Sequence, residues 1–186
     1  MAYVSLNPPR TLLSRVADWY SRRSYGRPVD PVRAAANNPR VLLTYGTTEL
    51  TVGRWNRLPS DLKQLAVMAA AGRIRCSWCM DFGYWDGLRQ GVDAGKIRAL
   101  PRWHETAGVY TPRERAVLAF AEAATATPPE VTAAVIDGLH EHLDDAQIVE
   151  LAMMVALENL RSRFNTGVGL TSQGFKEECE LTPVTV

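Results

Sequence analysis

Residues 57–83 read RLPSDLKQLAVMAAAGRIRCSWCMDFG. In the first half Leu62, Leu65, Ala66 and Ala69 fall on one face at helical spacing, with Ser60 ahead of them as the expected N-cap. Gly72 weakens the end of that helix. Cys76 then stands at or near the start of a second helix, with Cys79 one turn further on. The stretch predicts two consecutive helices with a cysteine pair at their junction.

The rest of the chain repeats the helical signal. No segment alternates apolar and polar residues long enough to form a strand. Asn38-Pro39 opens VLLTYGTTEL with Asn as N-cap and Pro at the first helical position. Thr111-Pro112-Arg113-Glu114 is a capping box, and Val117, Phe120, Ala121 and Ala124 follow at helical spacing. Thr127-Pro128-Pro129-Glu130 repeats the arrangement ahead of Val131, Val135 and Leu139. Asp144 caps a long segment, IVELAMMVALENLRSRFN, that is apolar on nearly every face in its first half. Such a helix belongs inside a bundle or in a subunit interface. The expectation is an all-α chain forming one domain over 1–186, with 1–30 and 171–186 as peripheral segments.

Composition narrows the function classes. The 186 residues are 46% hydrophobic and 22% charged, with net charge +1. This is the balance of an ordinary soluble protein, and it gives no electrostatic pull toward nucleic acid or an anionic membrane. The opening MAYVSLNPPRTLL has no basic stretch leading into an apolar core, so no signal peptide is expected. No apolar run approaches a membrane span. Three cysteines do not make a disulfide scaffold in a chain of this length, so the cytoplasm is the expected compartment.

Three readings of Cys76-x-x-Cys79 compete. A zinc site would need Cys179 and one of His104, His140 or His142 to complete a tetrahedron, and no second CxxC or HxxxH exists. Two buried cysteines could serve only as small hydrophobes. A redox dithiol fits the position best. Residues i and i+3 of a helix lie roughly 5 Å apart, within disulfide reach. Helix-start N–H groups, with Arg73 and Arg75 nearby, favour a thiolate. A thiolate beside a resolving partner is what peroxide reduction or disulfide exchange requires. No metal and no cofactor is expected.

The segment 57–83, followed by YTPRERAVLAFAEAATATPPEVTAAVIDGLHEHLDDAQIVELAMMVALENLRSRFNTGVG, resembles the alkyl hydroperoxidase D-like, carboxymuconolactone decarboxylase superfamily over about residues 36–170. The resemblance implies an all-α helical bundle and a homo-oligomer, commonly a trimer or hexamer. It implies the thiol-peroxidase branch, acting in antioxidant defence on a peroxide or disulfide, with a lipoyl-bearing or other dithiol partner as electron donor. It makes Cys79 the residue oxidised by peroxide and Cys76 the resolving one. The family motif, E-x11-C-x2-C-x3-H, also carries an acid and an imidazole that relay protons. Here the acid position is Gln64 and the imidazole position is Gly83; a further histidine between the cysteines is Trp78. Only the cysteines carry over, so turnover is expected to fall well below that of members with the full relay unless another group substitutes.

Candidates for support are Gln64, Asp86, Glu158 and Arg75. Asp81 and Asp86 read as solvated helix acids, and Glu158 reads first as an ion-pair partner of Arg161 or Arg163. Gly83 and Gly87 make a small face suited to close helix packing, beside an aromatic stripe of Trp78, Phe82 and Trp85. His140 and His142 read as surface or cap residues, His104 has no assigned partner, and Cys179 reads as a tail bystander. The alternative function is a non-catalytic oligomeric member of the superfamily that binds a small molecule or acts as a scaffold.

Overall fold

Helix caps divide this chain into its elements. In the computed structural model, which describes residues 2–181, the chain is all-helical, with no strand among those residues. It divides into two compact units.

The first unit takes in the chain up to Trp55 together with Asn165–Thr171. It holds α1 (Leu12–Tyr25), α2 (Asp30–Ala35) and α3 (Pro39–Val52). Asn38 caps α3 as the sequence predicts, its side chain accepting from the N–H groups of Arg40 and Val41. The amino-terminal segment is held by contacts within this unit. Thr11 and Ser14 form a capping box that starts α1, and Asn37 donates to the Ser5 carbonyl at 2.7 Å. On α1, Leu12, Val16, Trp19 and Tyr20 recur at helical spacing, yet all four are exposed.

The second unit comprises Asn56–Phe164 and the chain from Ser172. At its heart is α4 (Ser60–Ile74), which buries Leu62, Leu65, Ala66, Met68, Ala69, Ala70 and Ala71. Around it stand α5 (Ser77–Arg89), α6 (Ala94–Ala99), a 3-10 turn (Leu100–Glu105), α7 (Pro112–Thr125), α8 (Ala133–His140), the unit's share of α9 (Asp145–Gly167) and α10 (Phe175–Leu181). Leu118 and Val117 of α7, Leu139 of α8, and Leu151 and Val155 of α9 join the α4 residues in one apolar core. The Thr111–Glu114 capping box is present, and Asp144 and Gln147 cap α9 reciprocally.

Two local expectations are corrected. Pro59, not Ser60, precedes α4, and no side chain caps it. Past Gly72 the helix runs to Ile74 and closes on Arg75, which takes the left-handed conformation (φ 64°, ψ 37°) usually left to glycine. Thr127 does not start a helix. Two consecutive prolines lack N–H groups to offer a cap, and α8 begins instead at Ala133, with Thr132 accepting from Val135 N–H.

The long α9 is buried on one side and bare on the other. Leu151, Met154, Val155 and Leu157 are buried, whereas Val149, Met153 and Leu160 are exposed on the opposite side. No helix among the described residues is long and apolar enough to cross a membrane.

Candidate active site

The α4–α5 junction is only two residues long, and it fixes both cysteines. The Cys76 N–H donates back to the Ala71 carbonyl, closing α4, while its own side chain caps α5. The Cys76 sulfur accepts from the Cys79 N–H at 3.3 Å, so an amide of the helix start points at sulfur. Cys76 and Cys79 are joined as a disulfide, their Cα atoms 5.3 Å apart. Both are buried. Arg75 contributes the backbone turn of this junction, and its side chain is exposed.

Gln64 and Gly83 meet each other. The Gln64 amide is buried and donates to the Gly83 carbonyl at 2.9 Å. A Cβ built on Gly83 would lie 3.1 Å from Met68 Cγ, and one on Gly87 would lie 3.0 Å from Ile97 Cδ1. The small face of α5 therefore lets neighbouring side chains approach closely, and Gln64 is tied into that packing.

A second set of polar groups approaches from α9. Ser162 is fully buried, its hydroxyl 3.3 Å from Cys79 Sγ and 2.7 Å from Glu158 Oε1. Glu158 is only 2% exposed. The other side of its carboxylate faces Arg161, with Nη1 to Oε2 at 3.6 Å. The ion pair read from the sequence is present, and it is one end of a chain that reaches the disulfide. Asp86 also feels Arg161. Burial raises its carboxyl above the ordinary value, and Gln90, Arg89 and Arg161 offset part of that. The sequence offered Glu158 as a candidate and passed over Ser162. The available signal was Glu-x-x-x-Ser inside an apolar helix, which places both side chains on one face.

The carboxy-terminal segment, over its described residues, lies over the cysteine helix and corrects one expectation. Asp81 is buried, not solvated. Its carboxylate accepts from the backbone N–H groups of Gln173, Phe175 and Lys176 at 2.7, 3.1 and 2.8 Å. Burial raises the Asp81 carboxyl, but these three N–H groups and the Ser172 side chain outweigh it, leaving the group below its ordinary value. Phe175 is fully buried with its ring 5.2 Å from Phe82 and 5.4 Å from Trp85, and Trp78 donates from its indole to Gln173. The aromatic stripe of α5 is thus the seat of a segment that the sequence reads as peripheral.

The histidines lie outside this site. His104 has a partner after all, Glu122 at 2.8 Å, while His140 ends α8 and faces Asp145. Cys179 on α10 packs against the apolar core, outside the Cys76–Cys79 pair. Among the described residues no three His, Cys, Asp or Glu side chains gather as a metal site.

Comparison with known proteins agrees with this architecture. The carboxymuconolactone decarboxylase family profile matches residues 39–123. The chain is 29% identical over 167 residues to the uncharacterized protein YnjA of Escherichia coli (strain K12), covering 88% of this chain and 90% of that one. Its fold is similar to that of the debrominase Bmp8, with a TM-score of 0.81 at 19% identity over 94% of this chain and 96% of that one. It is also similar to an uncharacterized peroxidase-related protein from Silicibacter sp. TM1040, with a TM-score of 0.80 at 15% identity over 94% of each chain.

Proposed function

We propose that this chain, which belongs to the alkyl hydroperoxidase D-like, carboxymuconolactone decarboxylase-like superfamily, is a dithiol oxidoreductase working through Cys76 and Cys79. One observation carries the reading: the two sulfurs close on each other at a helix start, where a backbone amide points at one and a buried hydroxyl at the other. In the reduced protein a Cys79 thiolate attacks the distal oxygen of a hydroperoxide. The O–O bond breaks, an alcohol leaves and Cys79 becomes a sulfenic acid. Cys76 then displaces water to form the disulfide, which an external dithiol such as a lipoyl group returns to two thiols. The role is antioxidant defence, in keeping with the peroxidase-related likeness.

The test is thiol counting by mass spectrometry on reduced protein after mild hydroperoxide treatment. A linked 76–79 peptide is expected, with loss of hydroperoxide above a Cys79→Ser control. Two thiols that remain free in folded protein would remove the reading. A brominated aromatic is the second substrate to run in the same assay, because the debrominase shares the fold.

The functional unit is a homo-oligomer, with a trimer or hexamer expected in this superfamily. Two helices carry apolar side chains to the surface, α1 with Trp19 65% exposed and α9 with Val149 68% exposed. Such faces need a cover in water. Light scattering at micromolar concentration is expected to give a multiple of 20.6 kDa, and a Trp19→Glu/Met153→Glu variant is expected to give a smaller species. A 20.6 kDa monomer in the parent protein would contradict this.

A further inference from the structure

We propose that Ser162 and Glu158 form the proton relay of the dithiol site, with the Ser162 hydroxyl carrying the Cys79 proton to and from the Glu158 carboxylate. The inference rests on the dithiol reading above and deepens it. The observation is a single hydroxyl held between two groups, 3.3 Å from Cys79 Sγ and 2.7 Å from Glu158 Oε1.

A hydroxyl has one proton to donate and lone pairs to accept with, so it cannot donate to sulfur and carboxylate at once. The state of Cys79 decides which bond it makes. When Cys79 is a thiol, S–H donates to Ser162 Oγ and the Ser162 proton points to Glu158. When Cys79 is a thiolate, each proton has moved one step along the chain. Ser162 then donates to sulfur and the carboxyl of Glu158 donates to Ser162. Negative charge has passed from Glu158 to Cys79, and the total is unchanged.

The surroundings suit such a transfer. Glu158 and Ser162 are one helical turn apart on the buried face of α9, 2% and 0% exposed, so bulk water does not compete for the proton. A buried carboxylate is costly without partners, and Arg161 at 3.6 Å answers its charge on the other side. Asp86 on α5 also feels the Arg161 charge, and Arg89 acts on Asp86 in turn. The superfamily's acid and imidazole positions cannot do this work, because Gln64 is engaged with the Gly83 carbonyl and Gly83 has no side chain.

In the peroxide step the thiolate sulfur bonds to the distal oxygen and the O–O bond breaks. The departing alkoxide takes the proton stored on Glu158 as the chain shifts back through Ser162, and leaves as the alcohol. Cys76 then attacks the Cys79 sulfenic acid. Its thiol proton leaves with the hydroxide as water, and two electrons have passed from two thiols to one hydroperoxide. Ser162, which touches the reacting sulfur, is a catalytic residue. Glu158, which acts through it, is a positioning residue and the proton store.

The test contrasts two reagents on Cys79 of the reduced full-length protein, quantified by mass spectrometry so that Cys76 and Cys179 do not interfere. Iodoacetamide releases iodide, which needs no proton; tert-butyl hydroperoxide releases an alkoxide, which does. In Ser162→Ala and Glu158→Gln the hydroperoxide rate is expected to fall about 10²-fold, in the range of general acid–base help. Alkylation at pH about 9.5, where a cysteine with an ordinary value of about 8.5 ionises unaided, is expected to stay within about threefold of the parent. Glu158→Gln matters because it keeps the shape of the side chain and an oxygen for Ser162 while losing the proton acceptor. A hydroperoxide rate within about threefold of the parent in both variants overturns the relay. A matching loss of alkylation also overturns it, since the two residues would then only shape the pocket. A parent protein no faster than Cys79→Ser with hydroperoxide removes the dithiol reading itself, and the relay with it.

Discussion

A Gln64→Glu/Gly83→His variant, which rebuilds the superfamily's acid and imidazole, is expected to be no faster than the parent and less stable by about 2–4 kcal/mol. Sequence alone suggests the opposite, because both residues stand at relay positions. The structure shows those positions already occupied. A Cβ on Gly83 would meet Met68 Cγ at 3.1 Å, and an imidazole ring would need Met68 to move much further. Overpacking of this kind typically costs about 1–3 kcal/mol. Glutamate at 64 replaces an amide donor by a carboxylate facing the Gly83 carbonyl, in a place where the parent residue is only 5% exposed. It must either bury an unpaired charge or take up a proton, and neither makes a useful base. Urea midpoints and hydroperoxide consumption with a dithiol donor across about pH 6–9 check both halves. A restored variant at least tenfold faster with an unchanged midpoint would mean that the positions are vacant relay sites after all.

That reversal marks where sequence reading stops. Elements whose cause is local were legible. Asn38-Pro39, the Thr111–Glu114 box and Asp144 cap helices because a side chain reaches an amide two or three residues away. Cys76 at the start of α5 is legible for the same reason, and so is its reach to Cys79. Thr127 misled because its proline–glutamate pattern imitates a box, while a second proline removes an N–H such a cap would engage. Arg75 could not be foreseen as a left-handed terminus, since its conformation follows from closing α4 on one side and opening α5 on the other. Ser162 lies 83 residues from Cys79. Only the packing of α9 beside α5 brings the two together, and no periodicity in either helix records that register. Asp81 looked like a solvated acid because its three donors come from a segment more than 90 residues further on.

The Asp81 clamp leads to the second large effect. Asp81→Asn is expected to cost about 2–4 kcal/mol at pH 7, because hydrogen bonds to a charged acceptor are typically worth about 1.5–3 kcal/mol each and are not additive. An asparagine keeps one oxygen and turns an NH2 group toward amides that need an acceptor, so Gln173, Phe175 and Lys176 cannot all be satisfied. Phe175 still has its aromatic seat, so the loss should appear first in the carboxy-terminal segment around residues 173–176, a strap across α5. Amide exchange at 173, 175 and 176 is expected to quicken while that at Leu151 and Val155 in the core of α9 stays slow. The pH dependence has a definite sign. The folded protein holds the Asp81 carboxyl below its unfolded value, so its contribution is complete above the unfolded value of about 3.9 and is lost as pH falls through the folded one. Glu114 and Glu150, also held low, titrate in parent and variant alike. The stability gap between the two proteins therefore isolates Asp81, and it should narrow as pH drops below about 4. Equal urea midpoints at pH 7, or a gap that widens in acid, would show that the strap is held by Phe175 and its aromatic neighbours without help from the carboxylate.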